Sequence, residues 1–331
     1  MRRGAPSIDV AICTYNNAAM LAGTLESLAS QKISNALEWR VLVVDNASTD
    51  ETAAVVEAAT LSGRLPGLRR VYEPVQGLVA ARLRAVRETT AAWIAFVDDD
   101  CQLCETWVTA AAECIARHPE CGGIGGVVRL AWQSPPAQYV QRYGYAYAEQ
   151  EHGQHEVRRE WLVGAGLILN RAALEHSGWC RRQYLSDRSG TKLLSGGDME
   201  MVLRIRGAGY ELWYTPDCVI HHQIPVRRTS LSYLTRINFG LGVSQIWCDL
   251  LVAAGPYRQY AANAALGVAR GFLRTAKELA GLPRGTRKPE DLRISLSFAQ
   301  GQLAGLRQIL RLDSDMRAEV LGCARPGTGG G

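Results

Sequence analysis

The stretch Trp93-Ile94-Ala95-Phe96-Val97-Asp98-Asp99-Asp100 decides the fold, because an apolar run is followed at once by three carboxylates. The five apolar residues predict a buried strand, which places the aspartates at the carboxyl edge of a sheet. Like charges this close disfavour joint ionisation unless a cation compensates them. Hard divalent cations prefer oxygen ligands, so the triplet predicts a metal site. The alternative is a solvated acidic loop after a strand.

Upstream of this strand, strand and helix patterns alternate. Strands are predicted at 8–13, 41–44 and 68–72, and helices at 19–28, 51–61 and around Val79, Leu83 and Val86. Such alternation predicts an α/β fold in three layers, with a mostly parallel sheet that helices cover on both faces. Ligands of these sheets bind outside the carboxyl ends of the strands. The polar residues predicted at that edge are Thr14, Tyr15, Asn16, Asp45, Asn46, Glu73 and Asp98–Asp100.

Downstream, the pattern stays mixed as far as Pro225 and then becomes helical. The predicted elements are a helix at 106–117, strands at 127–130, 162–169, 211–214 and 218–220, and a helix after Asp198. The polar, tyrosine-rich stretch 133–156 is long enough to predict a functional loop. We therefore predict an α/β domain over residues 1–225, a helical extension over 226–325 and a disordered tail over 326–331, with helix breaks at Gly255-Pro256 and Leu282-Pro283.

Composition narrows the classes of partner. The chain has 331 residues, 47% of them hydrophobic, and a net charge of +5. This mild excess argues against nucleic-acid binding and suits an anionic substrate or an anionic membrane surface. No stretch reaches the ~20 apolar residues that a membrane span needs. Nine scattered cysteines without a recognisable signal peptide predict a cytoplasmic protein with free thiols.

The chain resembles the family 2 glycosyltransferases. Five segments match in the family's order and spacing: Val10-Ala-Ile-Cys-Thr-Tyr-Asn16, Val43-Val-Asp-Asn-Ala-Ser-Thr-Asp50, Gly77-Leu-Val-Ala-Ala-Arg82, Phe96-Val-Asp-Asp-Asp100 and Gly197-Asp-Met-Glu200. The resemblance implies the GT-A fold, a nucleotide-diphosphate-sugar donor and a divalent metal, Mn²⁺ or Mg²⁺. It further implies an inverting transfer to a glycan or lipid-linked acceptor in polysaccharide biosynthesis. The segment Ile220-His-His-Gln-Ile-Pro225, with helices after it, is similar to the hormogonium-polysaccharide subgroup.

The same resemblance assigns a metal site. Asp98 and Asp100 match the motif that contacts the metal and the ribose, with Asp100 as the direct ligand and Asp99 orienting the pair. His222 matches the family's late histidine, a third ligand or a diphosphate contact, and imidazole suits Mn²⁺ better than Mg²⁺. His221 is the competing choice, because strand alternation puts the two histidines on opposite faces.

On the donor side, Asp45 matches the position that accepts a hydrogen bond from the nucleotide base. The alternative is that Asp45 and Ser48 cap a turn. Arg82 matches a phosphate or ribose contact, a task that suits a fixed planar cation, and the alternative is a surface arginine. The remaining residues expected to contact the donor are Thr14, Tyr15, Asn16 and Asp99.

On the acceptor side, Asp198 matches the general base, which must lie near the attacking hydroxyl. The alternative for Asp198 is a helix N-cap. Glu200 is a second catalytic candidate, although Glu200 and Arg204 also form an i,i+4 pair typical of a helix surface. The family commonly has Glu where this chain has Gly197, which removes one acid. The expected acceptor-side strand contains Trp161, Gly164, Ala165 and Gly166.

Other classes remain as alternatives. The Gly197 departure motivates a non-catalytic homologue that binds nucleotide sugar or glycan within an assembly complex. An aspartate phosphatase and a dinucleotide-dependent oxidoreductase are disfavoured, because neither motif is present after the strands at 93–97 and 8–13. The helices after Pro225 are candidates for peripheral contact with the inner membrane face, near a lipid-linked acceptor. Equally, they could pack on the catalytic domain or on a second subunit.

Overall fold

The computed structural model describes residues 6–33, 37–185, 196–281 and 288–323. The predicted tail at 326–331 and the predicted helix break at Leu282-Pro283 lie outside the described residues.

Strands of the described residues form one mixed sheet, in the order β3-β2-β1-β4-β8-β6-β9-β5, with β7 beside β9. The strands are β1 (Ser7–Thr14), β2 (Glu38–Asp45), β3 (Arg69–Tyr72), β4 (Trp93–Asp98), β5 (Cys101–Leu103), β6 (Gly123–Trp132), β7 (Val157–Arg159), β8 (Leu167–Asn170) and β9 (Leu212–Ile224).

Helices cover both faces of this sheet and continue beyond it. They are α1 (Ala18–Ala29), α2 (Thr52–Leu61), α3 (Leu78–Glu88), α4 (Trp107–Arg117), α5 (Gln138–Gln141), α6 (Arg171–His176), α7 (Gly197–Gly207), α8 (Leu231–Leu251), α9 (Tyr257–Gly281), α10 (Pro289–Leu310) and α11 (Ser314–Gly322). The predicted break at Gly255-Pro256 is confirmed, since it separates α8 from α9.

The prediction of a mostly parallel sheet holds for its first half and needs correction for the second. Strands β3, β2, β1 and β4 are all parallel. Beyond β4, only β6 and β9 pair in parallel, whereas β8 runs antiparallel to both β4 and β6. Strands β5 and β7 also pair antiparallel with β9. These antiparallel neighbours are all distant in sequence, so tertiary pairing and not a short turn sets their direction.

The apolar run of β4 contributes to the cores on both faces of the sheet, which gives three layers. Along β4, Trp93, Ala95 and Val97 belong to the core beneath α1, α2 and α4. The alternate residues Ile94 and Phe96 belong to the core beneath α3, α6 and α7. A strand buried on both faces reads as a continuous apolar run, as predicted.

The C-terminal helices pack on one another and on the α/β region. Helices α8 and α10 lie so close that a Cβ on Gly242 would be 2.2 Å from the Phe298 carbonyl oxygen. Tyr143 donates a hydrogen bond to Asp291 of α10 (2.9 Å), and Tyr145 donates one to Asn238 of α8 (2.7 Å). The tyrosine-rich stretch therefore joins these helices to the sheet. Among the described residues, no helix is both long and apolar enough to cross a bilayer.

Candidate active site

A cavity of about 1450 Å³ opens at the carboxyl ends of β1 and β4. One side consists of residues that follow these strands and of α3. The opposite side consists of the tyrosine-rich stretch and helices α8, α9 and α10. The predicted site residues that line it are Thr14, Tyr15, Asn16, Arg82, Asp98, Asp99, Asp100, Trp161, Gly164, Ala165, Asp198 and His222.

Two of the three aspartates converge on one point. Ligand atoms of Asp98, Asp100 and Cys101 lie within 4.8 Å of one another. Burial raises the pKa of the Cys101 thiol well above its ordinary value, and a soft sulfur atom is a poor ligand for a hard cation. The oxygen donors of Asp98 and Asp100 remain, and they suit a hard divalent cation such as Mg²⁺ or Mn²⁺.

Asp100 is buried between two basic side chains. Its Oδ1 lies 3.2 Å from His222 Nε2, and its Oδ2 accepts a hydrogen bond from Arg228 Nη1 at 2.7 Å. His222 Nδ1 lies 2.8 Å from the Tyr147 carbonyl oxygen, to which it can only donate, so Nε2 faces Asp100. Burial lowers the pKa of His222, but the charge and hydrogen bond of Asp100, together with the charge of Asp98, outweigh this effect and raise it. His221 is exposed on the other face of β9.

Asp99 faces the end of β1. Its carboxylate accepts hydrogen bonds from Thr14 Oγ1 (2.6 Å) and Asn17 Nδ2 (2.7 Å). Burial and the charge of Asp100 raise the pKa of Asp99 to about 7. Asp99 therefore joins the aspartate turn to the strand beside it, a position consistent with the orienting role that the sequence predicts.

Asp45 contacts a turn residue and a basic side chain of the neighbouring strand. Its Oδ1 accepts a hydrogen bond from the Ser48 N–H (2.9 Å), and its Oδ2 pairs with Arg70 Nη1 (2.7 Å). Among the described residues, the cavity lining includes the neighbouring Asn46 but not Asp45. The base contact predicted for Asp45 stays a prediction, whereas the turn contact with Ser48 is present.

Arg82 is buried, so the alternative of a surface arginine is wrong. The guanidinium carbon lies 5.8 Å from the centroid of the Phe96 ring, within the range of a cation–π contact. Asn46 holds the loop before α3, since its side chain donates to the Val75 carbonyl and accepts from the Gly77 N–H, both at 2.7 Å. This loop positions the first turns of α3 and thereby Arg82.

Asp198 lies in the first turn of α7, and Gly196 occupies the N-cap position. The N-cap alternative for Asp198 is therefore not observed. A Cβ on Gly164 would be 2.4 Å from Asp198 Oδ2, so only glycine lets this loop approach the carboxylate. Gly166 has a φ of +70°, which turns the chain into β8. The predicted strand at 162–169 begins only at Leu167, and Trp161 to Gly166 form a loop beside Asp198.

Glu200 is fully buried, and the cavity lining among the described residues does not include it. Its carboxylate accepts hydrogen bonds from the Tyr184 and Leu185 N–H groups (3.0 Å and 2.8 Å) and from Arg204 Nη1 (3.0 Å). The expected surface pair of Glu200 and Arg204 is thus a buried one. This pair fixes the chain at Tyr184–Leu185 against α7, the helix that presents Asp198.

Replacing Glu200 by alanine is expected to destabilise the fold by about 3–5 kcal/mol, because Arg204 would keep a buried charge without its carboxylate. The matched control is Glu113→Ala. Glu113 pairs with Arg117 at 4.0 Å on an exposed helix surface, where such pairs contribute about 0–1 kcal/mol. Urea unfolding followed by circular dichroism measures both changes. Equal losses in the two variants would contradict the structural role of Glu200.

The sequence interpretation missed the contacts of three residues that hold this site together. Arg228 reaches Asp100, Arg70 reaches Asp45, and Asn46 holds the loop before α3. Arg228 had one available signal, since it lies six positions after His222 in a short basic run. Arg70 and Asn46 carried none, because their contacts depend on how neighbouring strands align.

Residues 9–168 match the model of glycosyl transferase family 2, so this part of the chain is similar to that family. The GT-A fold and the helical C-terminal region predicted from the sequence are confirmed.

Two curated relatives share most of their length with this chain. It is similar to the succinoglycan biosynthesis protein ExoM of Rhizobium meliloti (strain 1021), with 29% identity over 82% of this chain and 84% of the relative. It is also similar to the glycosyltransferase AglE of Haloferax volcanii, with 25% identity over 73% and 74% of the two chains.

Solved structures share the fold. The mannosyltransferase PcManGT from Pyrobaculum calidifontis, in complex with GDP-Man and Mn²⁺, superposes with a TM-score of 0.59 at 20% identity, over 92% of this chain and 88% of that one. GalNAc-T7 with UDP, GalNAc and Mn²⁺ gives a TM-score of 0.52 at 14% identity, over 75% of this chain and 50% of that one.

Proposed function

We propose that the chain is a metal-dependent inverting glycosyltransferase, which moves a sugar from a nucleotide-diphosphate donor to a hydroxyl of a glycan or lipid-linked acceptor in polysaccharide biosynthesis. The observation that supports this most is the convergence of Asp98 and Asp100, with His222 beside Asp100, on a cavity that Asp198 also lines. The closer likeness to the hormogonium subgroup and the cytoplasmic location stay predictions.

On the donor side, Asp98, Asp100 and His222 would hold a divalent cation, which neutralises the charge that develops on the departing diphosphate. His222 suits this role because the Tyr147 carbonyl already fixes its other ring nitrogen. Arg228 and Arg82 supply further positive charge to the same side of the cavity. Both side chains are mostly or fully buried, so their charges are preorganised for an anionic leaving group.

On the acceptor side, Asp198 accepts the proton of the attacking hydroxyl. The hydroxyl oxygen bonds to the anomeric carbon from the face opposite the diphosphate, and the bond to the diphosphate oxygen breaks. The anomeric configuration is therefore inverted, and the nucleoside diphosphate leaves. The Gly164 loop packs directly against Asp198 and limits where this carboxylate can move. A role for Glu200 in the chemistry is not part of this proposal.

The comparisons support the finer parts of this proposal. A relative named for succinoglycan biosynthesis supports a polysaccharide product. Two fold neighbours solved with Mn²⁺ and with GDP-Man or UDP support a nucleotide-sugar donor and a divalent cation.

A thermal-shift screen with UDP- and GDP-sugars, with and without Mn²⁺, tests the donor. A ligand at 100 times its Kd stabilises the folded state by about 2.7 kcal/mol. We expect one nucleotide sugar to raise the melting temperature in Mn²⁺, and EDTA to remove the increase. A screen in which no nucleotide sugar stabilises the protein in Mn²⁺ would contradict the proposed function.

We also propose that the outer face of α9 rests on an anionic membrane surface. Leu266 and Leu273 lie seven positions apart on this helix and are 50% and 64% exposed. Lys277 and Arg270 are exposed on the same helix, and Arg270 also lines the cavity. An apolar stripe beside basic residues is typical of a helix that lies in a membrane interface. Helices α8 and α10 already pack on one another and on the α/β region. Packing of the C-terminal helices on that region is therefore compatible with membrane contact through α9.

Flotation with anionic liposomes at low salt tests this surface. The wild-type protein should float with the vesicles, and the double variant Leu266→Glu/Leu273→Glu should stay in the dense fraction. The control is Leu61→Glu, since Leu61 is 82% exposed on α2 in the α/β region. Wild-type protein that never floats, or a double variant that floats as well as wild type, would count against membrane contact through α9.

A further inference from the structure

The cavity extends beyond the strand ends along one side of α9. This side is formed by residues three or four positions apart, which helical geometry places on one face: Gly267, Arg270, Gly271, Arg274, Thr275 and Glu278. A volume of about 1450 Å³ exceeds what a single small ligand usually fills. The part of the cavity beside α9 is therefore available to a second ligand.

Glu278 has an unsatisfied oxygen in this region. The residue is only 8% exposed, and its Oε1 lies 3.5 Å from Arg274 Nε. Its Oε2 is buried and has no hydrogen-bond partner among the described residues. Buried carboxylate oxygens are normally paired, and leaving one unpaired is costly. Such an atom at a cavity surface points to a ligand that donates hydrogen bonds.

The stretch of α9 from Gly267 to Glu278 spans about 16 Å, which fits a short chain of sugar rings. A Cβ on Gly267 would meet nothing within 4 Å, so the glycine leaves open space beside the helix. At Gly271 the nearest atom would be Gln302 Oε1, at 3.3 Å. The Gln302 amide and the Arg274 guanidinium can donate hydrogen bonds, and the Glu278 carboxylate can accept them. A hydroxyl-rich neutral ring offers both partners.

We infer that α9 holds the acceptor glycan, with Glu278 accepting a hydrogen bond from a sugar hydroxyl. The inference rests on the proposed function and adds the residues that recognise the acceptor. Asp198 and Trp161 line the same cavity, so a glycan whose reacting hydroxyl lies at Asp198 can extend toward α9. Trp161 is 40% exposed and offers a flat apolar surface to a sugar face.

The test separates transfer to sugar from transfer to water. The purified protein is incubated with Mn²⁺ and the donor from the thermal screen. Octyl glucoside, octyl galactoside or octyl mannoside serves as the surrogate acceptor. Glu278→Gln should raise the KM for the preferred glycoside roughly 10- to 100-fold, because a hydrogen bond to a charged group is lost. Its hydrolysis of the donor by water should stay within about twofold of wild type, since Glu278 is not a donor contact.

Gly267→Leu provides an independent variant, because the new side chain would fill the space without displacing a neighbour. It should weaken glycoside use by a similar factor while the melting temperature stays at or above that of wild type, since glycine disfavours a helix interior. The matched controls are Ala269→Leu, on an exposed part of the same helix, and Glu57→Gln, on exposed α2. Both controls should transfer like wild type.

Three outcomes are distinguishable. Loss of glycoside transfer with donor hydrolysis intact in Glu278→Gln and Gly267→Leu supports the acceptor site on α9. Unchanged transfer in both variants, or wild-type hydrolysis of the donor without use of any glycoside, overturns it and leaves the proposed function standing. Wild-type protein that neither hydrolyses nor transfers any donor refutes the proposed function itself.

Discussion

Replacing Asp100 by asparagine is expected to lower metal-dependent sugar transfer by about 10²–10³-fold, the usual cost of removing one group that stabilises transition-state charge. Asparagine keeps the shape of the side chain but removes the charge that a divalent cation needs. Asp100 also pairs with His222 and Arg228, so the change weakens the whole basic cluster around the metal site. Initial rates over a Mn²⁺ titration measure the effect, and part of the lost activity should return at high Mn²⁺.

Alanine is a poorer choice at this position. It would leave His222 and Arg228 without the hydrogen-bond acceptor that asparagine keeps, which costs stability as well as activity. The matched control for Asp100→Asn is Asp217→Asn. Asp217 is an exposed aspartate on β9 and is distant in sequence from Asp98 and Asp100. Asp217→Asn should transfer sugar like wild type. If Asp100→Asn keeps full activity and the wild-type Mn²⁺ dependence, Asp100 is not a metal ligand.

Asp198→Asn is expected to reduce transfer by about 10²–10⁴-fold, the range that a positioned general base contributes. The amide cannot accept the hydroxyl proton, while Gly164 still packs against a side chain of the same size. Because Asp198 acts on the acceptor, binding of the nucleotide sugar should not change. Kinetics of transfer and thermal stabilisation by the donor measure the two properties separately.

Asp315→Asn is the matched control, because Asp315 is also an acid in the first turn of a helix, α11, on the protein surface. The same experiment also tests the alternative that the chain is a non-catalytic homologue, which the glycine at position 197 motivates. Wild-type protein that binds a nucleotide sugar but turns over none of it would favour the binding homologue. Transfer that survives in Asp198→Asn would show that another group removes the proton.

The first half of the fold could be predicted from local sequence patterns alone. Strands β1, β2 and β4 are apolar runs buried on both faces, and the helices between them have apolar residues at spacings of three and four. The second half depends on pairing between distant segments. Strand β5 has only three residues and exists because it pairs with β9, so no local pattern reveals it. The predicted strand at 127–130 likewise covers only part of β6, which begins at Gly123.

The residues of the candidate site likewise fall into two groups, those that local motifs predicted and those whose surroundings depend on distant segments. Asp98, Asp100, Asp198 and His222 were predicted from motifs, and the structure brings them to one cavity. Glu200 was expected near the chemistry or on a helix surface, and it is buried. Its environment depends on the segment at Tyr184–Leu185, whose path the sequence pattern does not indicate. Glu278 was missed as well, since an unpaired oxygen is recognisable only once the neighbouring helices are in place.

The choice between the two adjacent histidines is made by the register of β9. This strand pairs with β5 and β6 at once, so that His222 lies opposite both Cys101 and Leu130. A slip of one residue would turn His222 outward and bring His221 to Asp100. The irregular pairing between Gly125 and Val127 sets this alignment, and a Cβ on Gly126 would be 1.9 Å from the Cys218 carbonyl oxygen. A glycine far from Asp100 thus determines which imidazole faces this carboxylate.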